Sequence, residues 1–68
     1  MSRTIHVIAN IRKLRESRRY SQKYMGSTLG VCQNAYGKIE LGQTKLTVED
    51  FLSIADTLGV APEVLMRD

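Results

Sequence analysis

Apolar residues recur at intervals of three and four along most of the chain, the spacing that places them on one face of an α-helix. In the first such segment, about residues 4–17, they are Val7, Ile8, Ile11 and Leu14. No stretch of useful length alternates apolar and polar residues as a half-buried β-strand would. The pattern therefore predicts an all-α fold, a compact bundle of about five short helices.

Capping residues set the limits of a second helix, about residues 21–29. Ser21 is a favourable N-cap, since its hydroxyl can accept a backbone N–H that has no partner within the helix. Tyr20 and Met25 occupy the two positions of a hydrophobic staple. Gly30 follows the last turn and can adopt the left-handed conformation that ends a helix.

A third helix is predicted over about residues 32–40, with Tyr36 and Ile39 facing the core and Gly42 ending it. Its connection to the second helix is so short that the two helices must cross steeply and pack tightly. A small residue is needed where they approach each other. Gly26 meets that need, although glycine lowers helix propensity by about 1 kcal/mol relative to alanine.

The fourth helix is expected to begin at the N-cap Thr47 and to end at Gly59. A fifth, short helix begins after Ala61, because the fixed φ of Pro62 suits the first helical position. The apolar face of the fourth helix is expected to comprise Val48, Phe51, Leu52, Ala55 and Leu58.

The length and the charge distribution narrow the function. A chain of 68 residues has room for a single domain, which we place at residues 1–68. Residues 1–34 carry seven lysines and arginines against one glutamate, whereas residues 35–68 carry three basic residues against six acidic ones. Such asymmetry is typical of a protein that meets a polyanion. A basic helix that is merely solvated is the alternative.

Several classes are disfavoured by what the sequence contains. Cys32 is the only cysteine and cannot form an internal disulfide, which suits a cytoplasmic protein. No run of 18 apolar residues predicts a membrane helix, and the first residues do not resemble a secretory signal. His6 is the only histidine, without neighbours that suggest a triad or a metal site. We therefore expect no enzyme, no metal, no cofactor and no membrane partner.

The third helix carries the residues most suited to reading DNA. Once its core positions are set aside, four residues remain on its outward side: Gln33, Asn34, Gly37 and Lys38. Glutamine and asparagine can form paired hydrogen bonds with adenine, and lysine can donate to guanine in the major groove. The ordinary alternative is a polar face in contact with solvent. Their position early in the second helix of a helix-turn-helix, about residues 21–40, favours double-stranded DNA.

Residues 21–31 (SQKYMGSTLGV) resemble the second helix and turn of phage repressor and Cro-type (Xre-like) helix-turn-helix proteins. Residues 38–42 (KIELG) are similar to the end of that family's third helix. Residues 51–60 and 63–66 resemble its fourth and fifth helices, so the likeness covers about residues 7–66. The resemblance implies a lambda-repressor-like domain.

The resemblance also implies roles for individual residues. Gln33, Asn34 and Lys38 match base-reading positions, and Gly37 lies among them. Arg15 and Glu40 match a structural pair that bridges the first and third helices. The residues expected at the DNA backbone or groove edge are Ser21, Gln22, Cys32, Thr44, Lys45 and Arg12.

Three departures from the family pattern bear on the site. Gly37 lies in the middle of the third helix and predicts local softness. Tyr36 replaces an aliphatic residue, so its hydroxyl needs a partner or a route to solvent. Cys32 replaces a serine or threonine cap; a thiol there could sense redox state, or Cys32 could be simply a small residue that fits.

The sequence as a whole predicts a transcriptional regulator, and a repressor rather than an activator because one small domain leaves no region for contacting a polymerase. A homodimer on an inverted-repeat operator would read two half-sites. The surface between the two subunits is expected to comprise Val60, Val64, Leu65 and Met66, unless these residues only close the core. The alternative function is a protein-interaction module or antitoxin, whose surface could use Met25, Met66, Tyr20 and Tyr24, unless these residues serve core and staple packing.

Overall fold

Five helices follow one another in the computed structural model, which describes residues 3–67. The described range contains no strand, so the predicted all-α class is confirmed. The radius of gyration is 10.7 Å, close to the roughly 11 Å expected of a folded chain of this length. The helices are α1 (Arg3–Ser17), α2 (Gln22–Leu29), α3 (Gln33–Glu40), α4 (Val48–Leu58) and α5 (Pro62–Leu65).

The capping residues predicted from the sequence position two of these helices, α2 and α4. The Ser21 hydroxyl accepts the Tyr24 N–H at 2.9 Å, and the Thr47 hydroxyl accepts the Asp50 N–H at 3.0 Å. Both residues have extended backbones and lie just outside their helices, which begin one residue later. Cys32 holds the same position before α3 but makes no capping hydrogen bond through its side chain.

The hydrophobic core draws on all five helices. Its buried apolar residues are Ile11, Met25, Tyr36, Ile39, Ile54, Ala55, Leu58 and Leu65. In α4 the predicted face was partly wrong, because Ile54 is fully buried whereas Val48 and Leu52 are exposed. The buried side is offset from the predicted one and follows the helical spacing 51, 54, 55 and 58.

Gly26 lies where α2 meets the turn that leads into α3. A Cβ atom at Gly26 would lie 2.9 Å from the Val31 carbonyl oxygen and 3.1 Å from that of Cys32. Both obstacles belong to the backbone, which cannot move aside as a flexible side chain can. The need for a small residue at this position is therefore confirmed.

Replacing Gly26 by alanine is expected to lower the free energy of unfolding by about 1–2 kcal/mol, since overpacking outweighs the gain of about 1 kcal/mol in helix propensity. Gly37→Ala is the matched control, because its Cβ would meet only the Gln22 side chain, at 3.4 Å. That variant should gain stability. Urea denaturation of both variants tests the prediction, and equal effects of the same sign would contradict it.

The residues predicted to form a dimer surface differ in their exposure. Leu65 is 1% exposed and belongs to the core, so its assignment to a surface between subunits was wrong. Val60 packs against the same core, and Val64 is half-buried. Met66 is exposed and lines an apolar groove with Val48 and other residues. Of the four residues, Met66 offers the most surface to a partner.

The described residues include neither a candidate metal site nor a helix that could span a membrane. No group of three histidine, cysteine or acidic side chains within residues 3–67 is arranged to hold a metal ion. The longest helix, α1, has 15 residues, and no helix in this range combines the length and the apolar character needed to cross a bilayer.

Candidate nucleic-acid interface

An open cleft of about 390 Å³ lies along the side of α3 that faces away from the core. It arises because α3 buries Tyr36, Ile39 and Glu40 on its opposite side. The structure brings all four predicted base-reading residues to this cleft, together with Gln22 from α2. Its lining comprises Gln22, Gln33, Asn34, Gly37, Lys38, Leu41 and Gln43.

The amides and the ammonium group of this cleft are accessible. Gln33, Asn34 and Lys38 are exposed, and none of the three makes a side-chain hydrogen bond or an ion pair with another described residue. Their donors and acceptors are therefore available to a ligand. Amide pairs and ammonium donors are the groups that the edges of base pairs can bind in the major groove.

Gln22 joins the cleft to the interior of the protein. Its side-chain amide donates to Glu40 Oε1 at 3.2 Å. The Gln22 Oε1 atom lies 3.4 Å from the position that a Cβ of Gly37 would occupy. The absent side chain of Gly37 thus leaves room for Gln22 to lie across α3.

Arg15 and Glu40 form an ion pair beneath the cleft. Arg15 Nε donates to Glu40 Oε2 at 2.7 Å, and Nη2 donates to Oε1 at 3.1 Å. Arg15 Nη1 also donates to the Tyr20 carbonyl oxygen at 2.8 Å. The side chains are 11% and 4% exposed, so the pair is largely shielded from water. It connects α1 to α3 and to the segment before α2.

The surroundings shift the pKa of Glu40 and that of Tyr36, which is buried next to the ion pair. Burial alone would raise the pKa of Glu40, but hydrogen bonds from Arg15 and Gln22 lower it below its usual range. Burial, followed by the neighbouring Glu40 carboxylate, raises the pKa of Tyr36 well above its usual range. The Tyr36 hydroxyl has neither a well-aligned partner among the described residues nor a route to solvent, contrary to the expectation that it would have one or the other.

The residues predicted to contact the DNA backbone do not all lie on one surface of the protein. Ser21, Cys32, Thr44 and Lys45 are all exposed, the first two at the starts of α2 and α3. Arg12 lies on α1 along a separate cleft, where its side chain is 3.6 Å from that of Glu16. The structure therefore does not bring Arg12 to the cleft of α3.

Two lining residues escaped the sequence analysis. Leu41 and Gln43 follow α3 directly, where the chain turns back after Gly42, and both line the cleft. Gln43 could have been predicted, because its amide directly precedes Thr44 and Lys45, which were already expected near the DNA. The sequence held no signal for Leu41, because an exposed leucine does not follow from hydrophobic patterning.

The residues suggested for a protein-interaction surface are only partly accessible. Met25 is fully buried, so of its two predicted roles the structure supports core packing and excludes the interaction surface. The rings of Tyr20 and Tyr24 lie 4.8 Å apart between centroids, and Tyr20 also packs against the core. Tyr24 and Met66 remain exposed.

Two short helices joined by a tight turn, with an exposed polar face on the second, define a helix-turn-helix domain. A family model described as helix-turn-helix matches residues 11–65. The chain belongs to this family, of the phage-repressor (Xre-like) type, whose members bind DNA. The resemblance predicted from the sequence is confirmed.

A curated relative supports the same relationship. The chain is 32% identical, over 57 residues, to the SPbeta prophage-derived uncharacterized HTH-type transcriptional regulator YonR of Bacillus subtilis (strain 168). The match covers 84% of this chain and 53% of the relative. The chain thus spans about half the length of this curated relative. No solved structure matches it.

Proposed function

We propose that the protein is a transcriptional regulator that binds double-stranded DNA in a sequence-specific way, with α3 in the major groove. The observation that carries the proposal is the cleft of α3, where side chains that can bind base edges lie together and exposed. Gln33 and Asn34 would bind adenine, and Lys38 would donate to guanine. Gly37 would let a base edge or the DNA backbone approach α3 closely.

The DNA backbone would be bound from both ends of this face. Ser21 and Gln22 would contact it at the start of α2, and Cys32 at the start of α3. Thr44 and Lys45 would contact it from the loop after α3. The excess of positive charge in residues 1–34 would steer the protein to DNA, and the individual contacts with phosphates would make its affinity depend on salt.

A homodimer follows from the small size of one recognition helix, which reads too few base pairs to specify a site in a genome. Two copies related by a two-fold axis would read half-sites about one helical turn apart in an inverted repeat. The surface would include Val60, Val64 and Met66, without the buried Leu65. Each copy of the dimer would be a single domain over residues 1–68. The dimer would act as a repressor by covering its operator.

Gln33→Ala and Lys45→Ala are expected to weaken DNA binding in different ways. Loss of the Gln33 amide should reduce affinity by about 1–3 kcal/mol and relax base preference at one position. Loss of Lys45 should weaken binding to all sequences alike and reduce the salt slope by about 1. Titration of a selected duplex and its single-base-pair variants separates the two.

For this test the variants must fold as the wild type does, which circular dichroism would verify. If Gln33→Ala weakened every duplex equally, Gln33 would not read a base. If Lys45→Ala left the salt slope unchanged, Lys45 would not contact the DNA backbone.

A further inference from the structure

Four helix ends in this protein share one backbone motif. After α2, α3 and α4, the residue that closes the helix has a left-handed backbone, and it is Gly30, Gly42 or Gly59, with φ between 72° and 75°. Each closes its helix with the same two hydrogen bonds, for example Gly30 N–H to the Ser27 carbonyl and the next N–H to that of Gly26. Glycine suits this position because it has no Cβ atom.

The end of α1 repeats the motif with arginine in place of glycine. The Arg19 N–H donates to the Glu16 carbonyl at 3.0 Å, and the Tyr20 N–H donates to that of Arg15 at 3.1 Å. Arg19 has φ 59° and is the only residue other than glycine with positive φ in the range 3–67. A left-handed backbone is unfavourable for arginine, because its Cβ approaches the following carbonyl oxygen. Arginine is therefore less stable at this position than glycine would be, and a residue strained in this way indicates a candidate functional position.

Contacts within the protein do not give the Arg19 side chain a function. The Arg19 side chain is exposed and makes no hydrogen bond or ion pair with any other residue that the structure describes. The preceding arginine differs, since Arg18 Nε donates to the Leu58 carbonyl oxygen at the end of α4, at 2.7 Å. Arg18 therefore holds two helices together, whereas the guanidinium of Arg19 is left for a ligand.

The surrounding chain holds Arg19 in a defined place. The next residue, Tyr20, packs against the core, and its carbonyl oxygen accepts Arg15 Nη1 at 2.8 Å. The residue after that is Ser21, the N-cap of α2, so the Cα atoms of Arg19 and Ser21 are at most about 7 Å apart. The backbone that carries this exposed arginine is thus held beside the start of the helix-turn-helix.

We propose that Arg19 binds a phosphate of the DNA backbone, next to the contacts of Ser21 and Gln22. The guanidinium offers several N–H donors in a planar fork that fits a phosphate. This assignment rests on the proposed function, because it takes the DNA to lie along the cleft of α3. The left-handed arginine then exchanges stability for affinity, as strained residues at functional sites often do.

Arg19→Gly separates the two effects. The variant should raise Tm by about 2–6 °C, because glycine relieves the left-handed strain but is more flexible in the unfolded chain. It should also reduce the slope of log affinity against log salt by about 0.9, the contribution of one phosphate contact. Both quantities are measured on the 68-residue protein, with titrations of a selected duplex between about 50 and 200 mM salt.

Two control variants make the result specific. Arg19→Lys keeps the charge and the left-handed backbone, so its Tm and salt slope should stay near those of the wild type. Lys13→Gln removes one charge from an exposed residue of α1 that lies beside α5 and not in the cleft of α3. Its salt slope should equal that of the wild type.

A raised Tm with an unchanged salt slope in Arg19→Gly would overturn the assignment, since the arginine would then be tolerated without a DNA contact. A lowered Tm would also overturn it, by removing the strain on which it rests. Failure of the wild-type protein to bind any duplex would instead overturn the proposed function, and the role of Arg19 with it.

Discussion

Replacing Glu40 by alanine is expected to lower the free energy of unfolding by about 3–5 kcal/mol. The Arg15 guanidinium, 11% exposed in the folded protein, would lose both hydrogen bonds to the carboxylate and remain charged. A domain of this length has a total stability of about 3–10 kcal/mol. The variant should therefore lose a large fraction of its stability and have a much lower Tm, which thermal denaturation followed by circular dichroism measures.

Glu16→Ala is the matched control for this prediction. Glu16 also faces arginines, with Arg12 at 3.6 Å, but its side chain is 56% exposed. Pairs so exposed to water contribute about 0–1 kcal/mol. Similar losses for the two glutamate variants would show that the Arg15–Glu40 pair does not hold α1 against α3.

The pH dependence of stability gives a second readout of the same pair. The folded protein holds the pKa of Glu40 below the usual value of 4.5, so the unfolded chain takes up a proton first as the pH falls. The stabilisation from Glu40 is therefore complete above about pH 4.5 and is lost as the pH falls through the folded pKa. In Glu40→Gln the free energy of unfolding should fall less steeply with pH in this range, because the variant has no carboxylate to protonate at this position. The same pH dependence in the variant and the wild type would contradict the role given to Glu40.

Ile54→Ala is expected to lower the free energy of unfolding by about 2–5 kcal/mol, the range for removing a large aliphatic side chain from a core. Ile54 is 0% exposed and belongs to the buried cluster that the helices share. The same truncation two residues earlier, Leu52→Ala, should lower stability by less than about 1 kcal/mol because Leu52 is 49% exposed.

Urea denaturation of these two variants of α4 tests which side of the helix is buried. The hydrophobic pattern by itself favoured Leu52, whereas the structure favours Ile54. A larger loss for Leu52→Ala than for Ile54→Ala would restore the face predicted from the sequence. It would also contradict the packing of α4 described above.

Helix limits were the most predictable part of the fold, because they depend on local chemistry. Ser21 and Thr47 cap α2 and α4 as expected, since a short hydroxyl side chain accepts a backbone N–H wherever a helix begins. The position of Gly26 was also predictable, because a tight turn forces two backbones together. These features need only a few neighbouring residues to be specified.

Features that depend on packing between distant residues were less predictable. Apolar residues on both sides of α4 left its buried face ambiguous, and contact with α1, α2 and α5 decides in favour of Ile54. The same is true of Leu65, which α1 and α4 enclose although the sequence allowed it on a surface.

The candidate site shows the same division. The residue types of α3 and their helical spacing predicted Gln33, Asn34, Gly37 and Lys38, because α3 has an evident buried side. Gln22 was expected at the DNA backbone, but its place in the cleft of α3 involves a hydrogen bond to Glu40, which is 18 residues away in the sequence. The left-handed backbone of Arg19 likewise became visible only in the structure, since arginine is not a residue from which positive φ is expected.

Selection of the purified protein against randomised duplex DNA at moderate salt tests the central claim, that α3 reads base pairs, most directly. The account predicts enrichment of an inverted repeat whose half-sites lie about one helical turn apart, and loss of base preference at one position of each half-site in Gln33→Ala. Folded protein that enriches no sequence would contradict the account and would direct the search to a protein partner instead.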